Sequence, residues 1–202
     1  MRAVDRAHFV LPDMPRAYAY VDSALPIGHK QTISAPHMHA TALDLLQGHA
    51  VPGASVLDVG SGSGYLSAAL GKLVGDQGGQ VIGVEKHKEL ADRSIQNIKD
   101  ASPELLEQQT VKIMPGNVLG SVLDSYGLFD AIHVGAAADE IPQTLVDKLK
   151  PGGRMVIPVG PQDSFQDLYC VDKDAAGNVT PFRLMSVAYV PLTRPDERES
   201  EE

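Results

Sequence analysis

Short apolar runs recur along the middle of the chain at intervals that suit buried strands separated by helices. Each run is four to six residues long, and the runs are Ser55–Val59, Gln80–Glu85, Val111–Met114, Phe129–Val134 and Met155–Val159. A continuous apolar run of this length is typical of a strand that is buried on both faces of a sheet. The pattern therefore predicts a group of central strands.

Between and after these runs, apolar residues repeat with helical spacing. The segments with this spacing are Tyr65–Val74, the stripe Ala91, Ile95 and Ile98, and the stripe Ile141, Leu145 and Leu149. We expect the last helix to stop at Lys150–Gly153, because proline and glycine end helices. Two β-rich stretches, Gln166–Val171 and Pro181–Val190, then flank a turn and predict an antiparallel pair.

Alternation of strands and helices at this spacing predicts an α/β fold. We expect a doubly wound, mostly parallel, Rossmann-like sheet of about seven strands with an antiparallel C-terminal strand. We also expect a single domain over residues 1–193, with the core sheet in residues 51–193 and a charged, disordered tail at 194–202. Ligands of such sheets bind at the carboxyl ends of the strands, so the search for chemistry starts there.

Composition excludes several classes of protein. The chain has 17 Lys and Arg against 26 Asp and Glu, a net charge of −9, whereas general nucleic-acid and anionic-membrane binders usually need a basic face. Its single cysteine, Cys170, excludes an intramolecular disulfide and a Cys-x-x-Cys metal site. No apolar run approaches the roughly 20 residues that span a bilayer, and the first residues lack a signal-peptide core. We therefore expect a cytoplasmic protein.

A glycine-rich turn, Asp58–Tyr65, directly follows the first predicted central strand. Its sequence is DVGSGSGY, with Tyr65 where the dinucleotide fingerprint has its third glycine, and this lowers the expectation of NAD. Glu85 ends the next strand, where a carboxylate can accept hydrogen bonds from both ribose hydroxyls of an adenosine. Asp58 would repel a pyrophosphate but suits a cationic ligand. Together these residues favour S-adenosyl-L-methionine as the cofactor.

The glycine turn resembles the first motif of the class I methyltransferases that use S-adenosyl-L-methionine. Four further segments resemble the protein-L-isoaspartate (D-aspartate) O-methyltransferase family, namely Thr32–Ala40, Phe129–Ala138, Leu149–Arg154 and Val190–Thr193. The resemblance runs from about Val4 to Thr193, and the string Ile33–His39 is far more specific than the glycine turn. By this resemblance the chain is identified as a member of that family.

The resemblance implies a protein-repair enzyme. Such enzymes transfer the methyl group of S-adenosyl-L-methionine to the free carboxylate of L-isoaspartyl and D-aspartyl residues in damaged proteins and peptides, and they release S-adenosyl-L-homocysteine. A carboxylate with a pKa of about 4 is already ionised at neutral pH, so the reaction needs alignment rather than a general base. The resemblance also implies a monomer whose residues 1–50 cover the substrate and cofactor.

The resemblance also assigns site residues. Ser34 corresponds to the active-site serine, and we interpret its hydroxyl as a donor to the substrate carboxylate. The alternative, which is compatible with this role, is a helix N-cap at Ser34 with Pro36 as the first helical residue. We expect no metal, because His37 and His39 diverge on a helix, and we interpret His133 as a packed core histidine. The expected cofactor-binding residues are Thr32, Ile33, Ser34, His39, Asp58, Gly60, Ser61, Gly62, Glu85, Lys86, Asn117, Val118 and Thr193.

Two departures from the family pattern keep other functions open. Asn117 stands where the family usually has an aspartate that contacts the adenine amino group, so the hydrogen bond is retained without the charge. Met1 begins almost at the Val4–Arg6 region, whereas family members usually carry a further helical segment before it. The alternatives are a module that binds S-adenosyl-L-methionine without turnover, or a methyltransferase acting on another acceptor, such as a small molecule or RNA.

Overall fold

A seven-stranded sheet organises the chain in the computed structural model, which describes residues 1–161 and 164–192. The strands are β1 (Leu25–Gly28), β2 (Gln31–Ile33), β3 (Ser55–Val59), β4 (Gln80–Glu85), β5 (Val111–Pro115), β6 (Phe129–Val134), β7 (Leu149–Val159), β8 (Gln166–Lys173) and β9 (Val179–Val187). The α-helices are α1 (Pro36–Leu46), α2 (Tyr65–Val74), α3 (Lys88–Ala101), α4 (Glu104–Glu107) and α5 (Gln143–Lys148), with 3₁₀ helices at Arg6–Phe9, Arg16–Tyr20 and Gly75–Gln77. Thr193 and the predicted tail lie outside the described residues.

The order of the strands confirms the predicted fold class. The sheet runs β5-β4-β3-β6-β7-β8-β9, and every pair from β5 to β7 is parallel. The antiparallel direction enters at the C-terminal end of the chain, because β8 pairs antiparallel with both β7 and β9. Since β3 lies between β4 and β6, its carboxyl end is the switch point of the topology, where ligands bind in sheets of this kind.

Both faces of the sheet are covered. Within β3, Val56 belongs to one hydrophobic cluster and Leu57 to the other, and neither is exposed to solvent. Ala131 and Ile132 divide in the same way within β6. Successive residues of a strand point to opposite faces, so helices on both sides require apolar residues at every position. The continuous apolar runs of the sequence have this cause.

The beginning of β7 differs from the prediction. We expected a helix to Leu149 and a turn at 150–153, but α5 ends at Lys148 and Leu149 already pairs with Phe129. The next pair joins Ala131 to Arg154, so the residues 150–153 form a bulge inside the strand. Proline and glycine are tolerated at such a bulge, which periodicity cannot distinguish from a loop between two elements.

Two smaller expectations were also wrong. Ile95 is 39% exposed, and Ser94 takes its place in the buried stripe of α3. The final strand ends at Val187 rather than Val190, because the backbone of the next residues bonds elsewhere: Tyr189 N–H donates to the side chain of Gln166. No helix among the described residues is long and apolar enough to cross a membrane.

The N-terminal segment packs onto the same core as α2. Phe9, Ala19, Ile27 and Ile33 are buried in the cluster that also contains Tyr65. Strands β1 and β2 form an antiparallel hairpin that the pattern did not predict. Tight hairpins are usually signalled by Asn-Gly or Asp-Gly, whereas here His29–Lys30 adopt positive φ angles of 52° and 56°, so the usual signal is missing.

Candidate functional site

A cleft of about 740 Å³ opens at the carboxyl ends of the central strands. The glycine turn after β3 forms one wall and the ends of β4 and β5 form another, while the β1–β2 hairpin lies opposite. Among the residues that line it are the predicted Thr32, Gly60, Gly62, Glu85, Lys86, Asn117 and Val118. The cleft is large enough for a nucleoside-sized ligand and lies at the switch point of the sheet.

A smaller cavity of about 30 Å³ adjoins the cleft. Thr32, Gly60 and Gly62 line both spaces, so the two are continuous in the same part of the molecule. The predicted residues Ile33, Ser34, His39, Asp58 and Ser61 line the smaller one, together with Tyr65 and His133. Each predicted site residue within the described ranges therefore lines one of the two spaces. Thr193 lies outside those ranges.

The glycine turn is shaped to accept a ligand. Gly62 has a φ of +52°, and a Cβ added there would come within 3.2 Å of the Ile27 side chain of the hairpin. Gly60 and Ser61 both donate their backbone N–H groups to the carbonyl of Val84, which fastens the turn to β4. The hydroxyl of Ser61 is buried and has no hydrogen-bond partner. A polar ligand beside the turn would supply one, so the residues fit an adenosine-type cofactor.

Glu85 is 5% exposed, so it is a buried carboxylate at the end of β4. One carboxylate oxygen accepts the backbone N–H of Gly62 at 2.9 Å, and the other accepts that of His87 at 2.9 Å. Because an ionised carboxylate has about four acceptor positions, both oxygens keep capacity for the hydroxyls of a ribose. Glu85 thus holds the glycine turn and also faces the cleft.

Asp58 is not the free carboxylate that the sequence suggested. It is 1% exposed, and its oxygens are bound by the Ser67 hydroxyl at 2.5 Å and by the His133 ring at 2.8 Å. An ionised carboxylate only accepts, so Nδ1 of His133 carries the hydrogen. Asp58 therefore orients His133 and contributes negative charge to the small cavity. His133 is more than a packed core histidine, because it lines that cavity.

Asn117 lies at the end of β5 and lines the cleft. Its side-chain oxygen accepts the backbone N–H of Leu119 at 2.9 Å. The oxygen expected to accept from an adenine amino group therefore also accepts a hydrogen bond from the backbone. Val118 is buried beside it and supplies an apolar wall.

Ser34 does not cap helix α1. The N-cap position is Ala35, no side chain caps the first turn, and Pro36 occupies the first turn. The Ser34 hydroxyl is instead within hydrogen-bonding reach of Tyr189: burial raises the pKa of that tyrosine, and the bond with Ser34 lowers it. The alternative of an N-cap is therefore wrong, and Ser34 lines the small cavity while its hydroxyl bonds Tyr189.

The two histidines of α1 diverge as expected. His37 is exposed and its Nδ1 lies 2.8 Å from Asp22, whereas His39 is buried against the ring of Tyr65. Burial and the nearby charge of Arg6 lower the pKa of His39 to about 3, so its imidazole is neutral at physiological pH. In the part of the chain that the structure describes, no three His, Cys, Asp or Glu side chains are grouped as metal ligands.

Sequence reasoning missed several residues at or beside the site, among them Arg6 and Tyr189. Arg6 bonds the backbone of Ser34 and the ring of His39, and Tyr189 interacts with the Ser34 hydroxyl. Tyr189 directly precedes a segment that passes along the site, where the backbone of Ala137 exchanges hydrogen bonds of 2.7 Å with Val190 and Leu192. Only the position of Tyr189 next to the segment Val190–Thr193 gave a signal, and nothing in the pattern indicated Arg6.

Known proteins resemble this chain over nearly its whole length. The family model "Protein-L-isoaspartate(D-aspartate) O-methyltransferase (PCMT)" matches residues 1–197. Protein-L-isoaspartate O-methyltransferase 1 of Arabidopsis thaliana is 50% identical over 194 residues, which cover 96% of this chain and 81% of that protein. The Caenorhabditis elegans protein-L-isoaspartate O-methyltransferase is 43% identical and covers 98% of this chain and 84% of its own length.

A solved structure has the same fold. It is a Plasmodium falciparum protein described as a protein-L-isoaspartate O-methyltransferase in complex with S-adenosyl-L-homocysteine, with a TM-score of 0.83 and 39% identity. The match covers 95% of this chain and 87% of that one. Identity at this level over most of both chains, together with the geometry described above, establishes the relationship. The chain belongs to the protein-L-isoaspartate (D-aspartate) O-methyltransferase family.

Proposed function

We propose that this chain is a protein-repair enzyme that methylates the free carboxylate of L-isoaspartyl and D-aspartyl residues in damaged proteins and peptides. The observation that carries the proposal concerns the family-specific segment Thr32–Ala40. Its residues connect the large cleft to the small cavity: Thr32 lines both spaces, and Ser34 and His39 line the cavity. A donor in the cleft and an acceptor at the cavity would meet at this segment.

The cleft holds the cofactor. Of the residues that line it, Glu85 would accept from the ribose hydroxyls, the turn Gly60–Gly62 would hold the amino-acid portion, and Asn117 and Val118 would hold the adenine. Thr32, Ile33, His39, Asp58, Lys86 and Thr193 complete the proposed binding residues. When bound, S-adenosyl-L-methionine supplies a methyl group on a positively charged sulfur, and S-adenosyl-L-homocysteine is the product.

The chain's own groups place the acceptor rather than activate it. The Ser34 hydroxyl donates a hydrogen bond to the substrate carboxylate, which is already ionised at neutral pH. His39 is neutral at physiological pH because burial and Arg6 lower its pKa to about 3, so its ring adds no positive charge beside the substrate carboxylate. Alignment of this kind is the main contribution the reaction requires.

The same proposal includes the form in which the enzyme works. We infer one domain over residues 1–193 that acts as a monomer in the cytoplasm, without binding nucleic acid or membranes. The net charge of −9 supports the absence of nucleic-acid and membrane binding, because an acidic protein repels phosphate backbones and anionic lipids. Isoaspartyl-containing proteins are its partners as substrates.

A peptide assay tests the activity. Labelled S-adenosyl-L-methionine and an isoaspartyl peptide should give a base-labile methyl ester, and the matched aspartyl peptide should give none. Equal labelling of the two peptides would contradict the proposed substrate. Calorimetric binding of S-adenosyl-L-methionine without transfer to the isoaspartyl peptide would favour a binding module, and Asn117→Asp then tests whether the missing charge is responsible.

A further inference from the structure

A buried arginine links the N-terminal segment to the site. Arg6 is 4% exposed and lies in the first 3₁₀ helix. Its Nε donates to the carbonyl of Ala19 at 2.8 Å, its Nη2 donates to the carbonyl of Ser34 at 2.8 Å, and its Nη1 lies 3.2 Å from Nδ1 of His39. The guanidinium also lies 5.5 Å from the ring centre of Tyr65. One side chain therefore fixes two residues that line the small cavity.

Neutral groups make all of the described contacts of this guanidinium. Its hydrogen-bond partners are two backbone carbonyls and an imidazole, and no carboxylate within residues 1–161 and 164–192 forms an ion pair with it. The carboxylate of Asp22, whose charge acts on Arg6, is bound to His37. A buried charge without a counter-ion destabilises the folded protein. Charged residues in this situation are often found at functional sites, where a ligand of opposite charge binds.

The contact with Arg6 also decides the hydrogen position on His39. A guanidinium only donates, so Nδ1 of His39 must accept, and the hydrogen of the neutral ring is on Nε2. Burial first, and the charge of Arg6 second, lower the pKa of His39 to about 3, and His133 from β6 adds to the effect. Tyr65 from α2 packs against the ring at 4.9 Å. His39 is thereby kept neutral, with one donor left.

We propose that Arg6 is a positioning residue for methyl transfer: it fixes the backbone of Ser34 and the tautomer of His39, and its charge attracts the acceptor carboxylate to the small cavity. This inference rests on the proposed function. It assigns to the N-terminal segment an electrostatic role, beyond covering the site. A purely structural arginine would affect folding but would leave the kinetics of the folded enzyme unchanged.

Two substitutions separate charge from geometry. Arg6→Met removes both, and we expect kcat/KM for the isoaspartyl peptide to fall about a hundredfold, through a higher peptide KM and a lower kcat. Arg6→Lys keeps the positive charge but cannot form the three hydrogen bonds of the planar guanidinium, so the peptide KM should recover while kcat stays low. Arg2→Met removes an exposed arginine of the same segment and should leave both constants unchanged. In all three variants the affinity for S-adenosyl-L-homocysteine, measured by calorimetry, should stay within about threefold of the wild-type value.

The pH profile provides a readout that a structural role would not change. With Arg6 replaced by Met, the cation beside His39 is gone and the pKa of His39 rises. The acid limb of kcat/KM should therefore move towards neutral pH in Arg6→Met and remain near its wild-type position in Arg6→Lys. Folded Arg6→Met enzyme with wild-type kinetics and a wild-type pH profile would overturn the inference.

A measurement on the unmodified protein covers the case in which Arg6→Met does not fold. Nitrogen-15 NMR of histidine-labelled protein, with His39 assigned by the spectrum of His39→Gln, should show a neutral ring with its hydrogen on Nε2 at about pH 6. A hydrogen on Nδ1 would overturn the inference. Absence of methyl transfer by the wild-type protein would contradict the proposed function instead, so the two failures are distinguishable.

Discussion

Asp58 and His133 show how single residues set the character of the small cavity. Both are buried on adjacent strands, where register places them directly opposite each other. Ser67 of α2 binds the second carboxylate oxygen, so the charge of Asp58 is stabilised by two hydrogen bonds inside the core. Burying a carboxylate is costly unless such hydrogen-bond partners are present. The stability of Asp58 in the core therefore depends on His133 and Ser67.

A double-mutant cycle measures this dependence. Replacing His133 with Leu removes one of the two partners of the buried Asp58, and we expect the free energy of unfolding to fall by about 3 kcal/mol. Asp58→Asn combined with His133→Leu should cost less than the sum of the single changes, because no buried charge is then left poorly bound. Chemical denaturation of the four proteins gives the coupling energy. Additive effects would show that the two side chains do not depend on each other.

Ser34 provides a second test at the scale of one residue. Its hydroxyl has no capping role but bonds Tyr189, so Ser34→Ala should lower the free energy of unfolding by only about 0.5–1.5 kcal/mol. A hydrogen bond to a charged group contributes about 1.5–3 kcal/mol, so kcat for the isoaspartyl peptide should fall about ten- to hundredfold. Ser23→Ala, which removes an exposed serine of the same segment, is the control. Unchanged kcat in Ser34→Ala would remove the proposed contact with the substrate.

At the scale of elements, the glycine turn positions helix α2 against α3 as well as shaping the cleft. Gly64 precedes α2 with a φ of +87°, and a Cβ there would come within 3.1 Å of both Ser94 and Ile98 on α3. The turn thus needs glycine for its backbone conformation and for the close approach of the two helices. Gly78 shares the first requirement only, since its φ is +75° and its added Cβ would meet nothing within 4 Å.

These two glycines form a matched pair of substitutions. Gly78→Ala should cost about 1–2 kcal/mol of unfolding free energy, the cost of a left-handed conformation for a residue with a Cβ. Gly64→Ala should cost a further 1–3 kcal/mol, roughly, because α3 must move to make room. Thermal and chemical denaturation provide both values. Equal losses would mean that the helices adjust without cost, and that only the backbone conformation matters at Gly64.

At the scale of the whole molecule, burial and ion pairing both favour folding at neutral rather than acid pH. Arg154 donates to Asp172 and lowers the pKa of that carboxyl, so protonation of Asp172 destabilises the folded state. His39 acts in the same direction for a different reason. Its pKa falls from 6.5 to about 3 on folding, mainly through burial, so the unfolded chain binds a proton that the folded protein does not.

The sign and size of the His39 effect follow from linkage. Its contribution is fully present above about pH 6.5 and is lost as the pH falls towards 3, at about 1.4 kcal/mol for each pH unit. Between about pH 7.5 and 5 the free energy of unfolding should therefore fall by about 2 kcal/mol from this residue. Urea denaturation across this range measures the loss. His39→Gln should flatten the curve above about pH 5, and an unchanged slope would contradict the assignment.

Much of the fold follows from local sequence. The apolar runs of β3, β4 and β6 are buried on both faces, so their pattern is nearly continuous, and the bounds of these strands and of the edge strand β5 match the prediction to within a residue. The glycine turn and Glu85 could also be located, because they directly adjoin these strands. Burial patterns of this kind depend on nearest neighbours along the chain, which is why a sequence reveals them.

What the sequence determined by itself was the fold class, the family and part of the set of residues that line the two spaces. Only the tertiary structure decided which partners those residues have: that Asp58 binds His133 and Ser67 rather than facing a ligand freely, that Ser34 lies before the helix cap, and that Arg6 reaches His39. These pairs are separated by up to 75 positions, as for Asp58 and His133. Hydrogen bonds of that separation depend on the register of strands and the packing of helices, which no local pattern encodes.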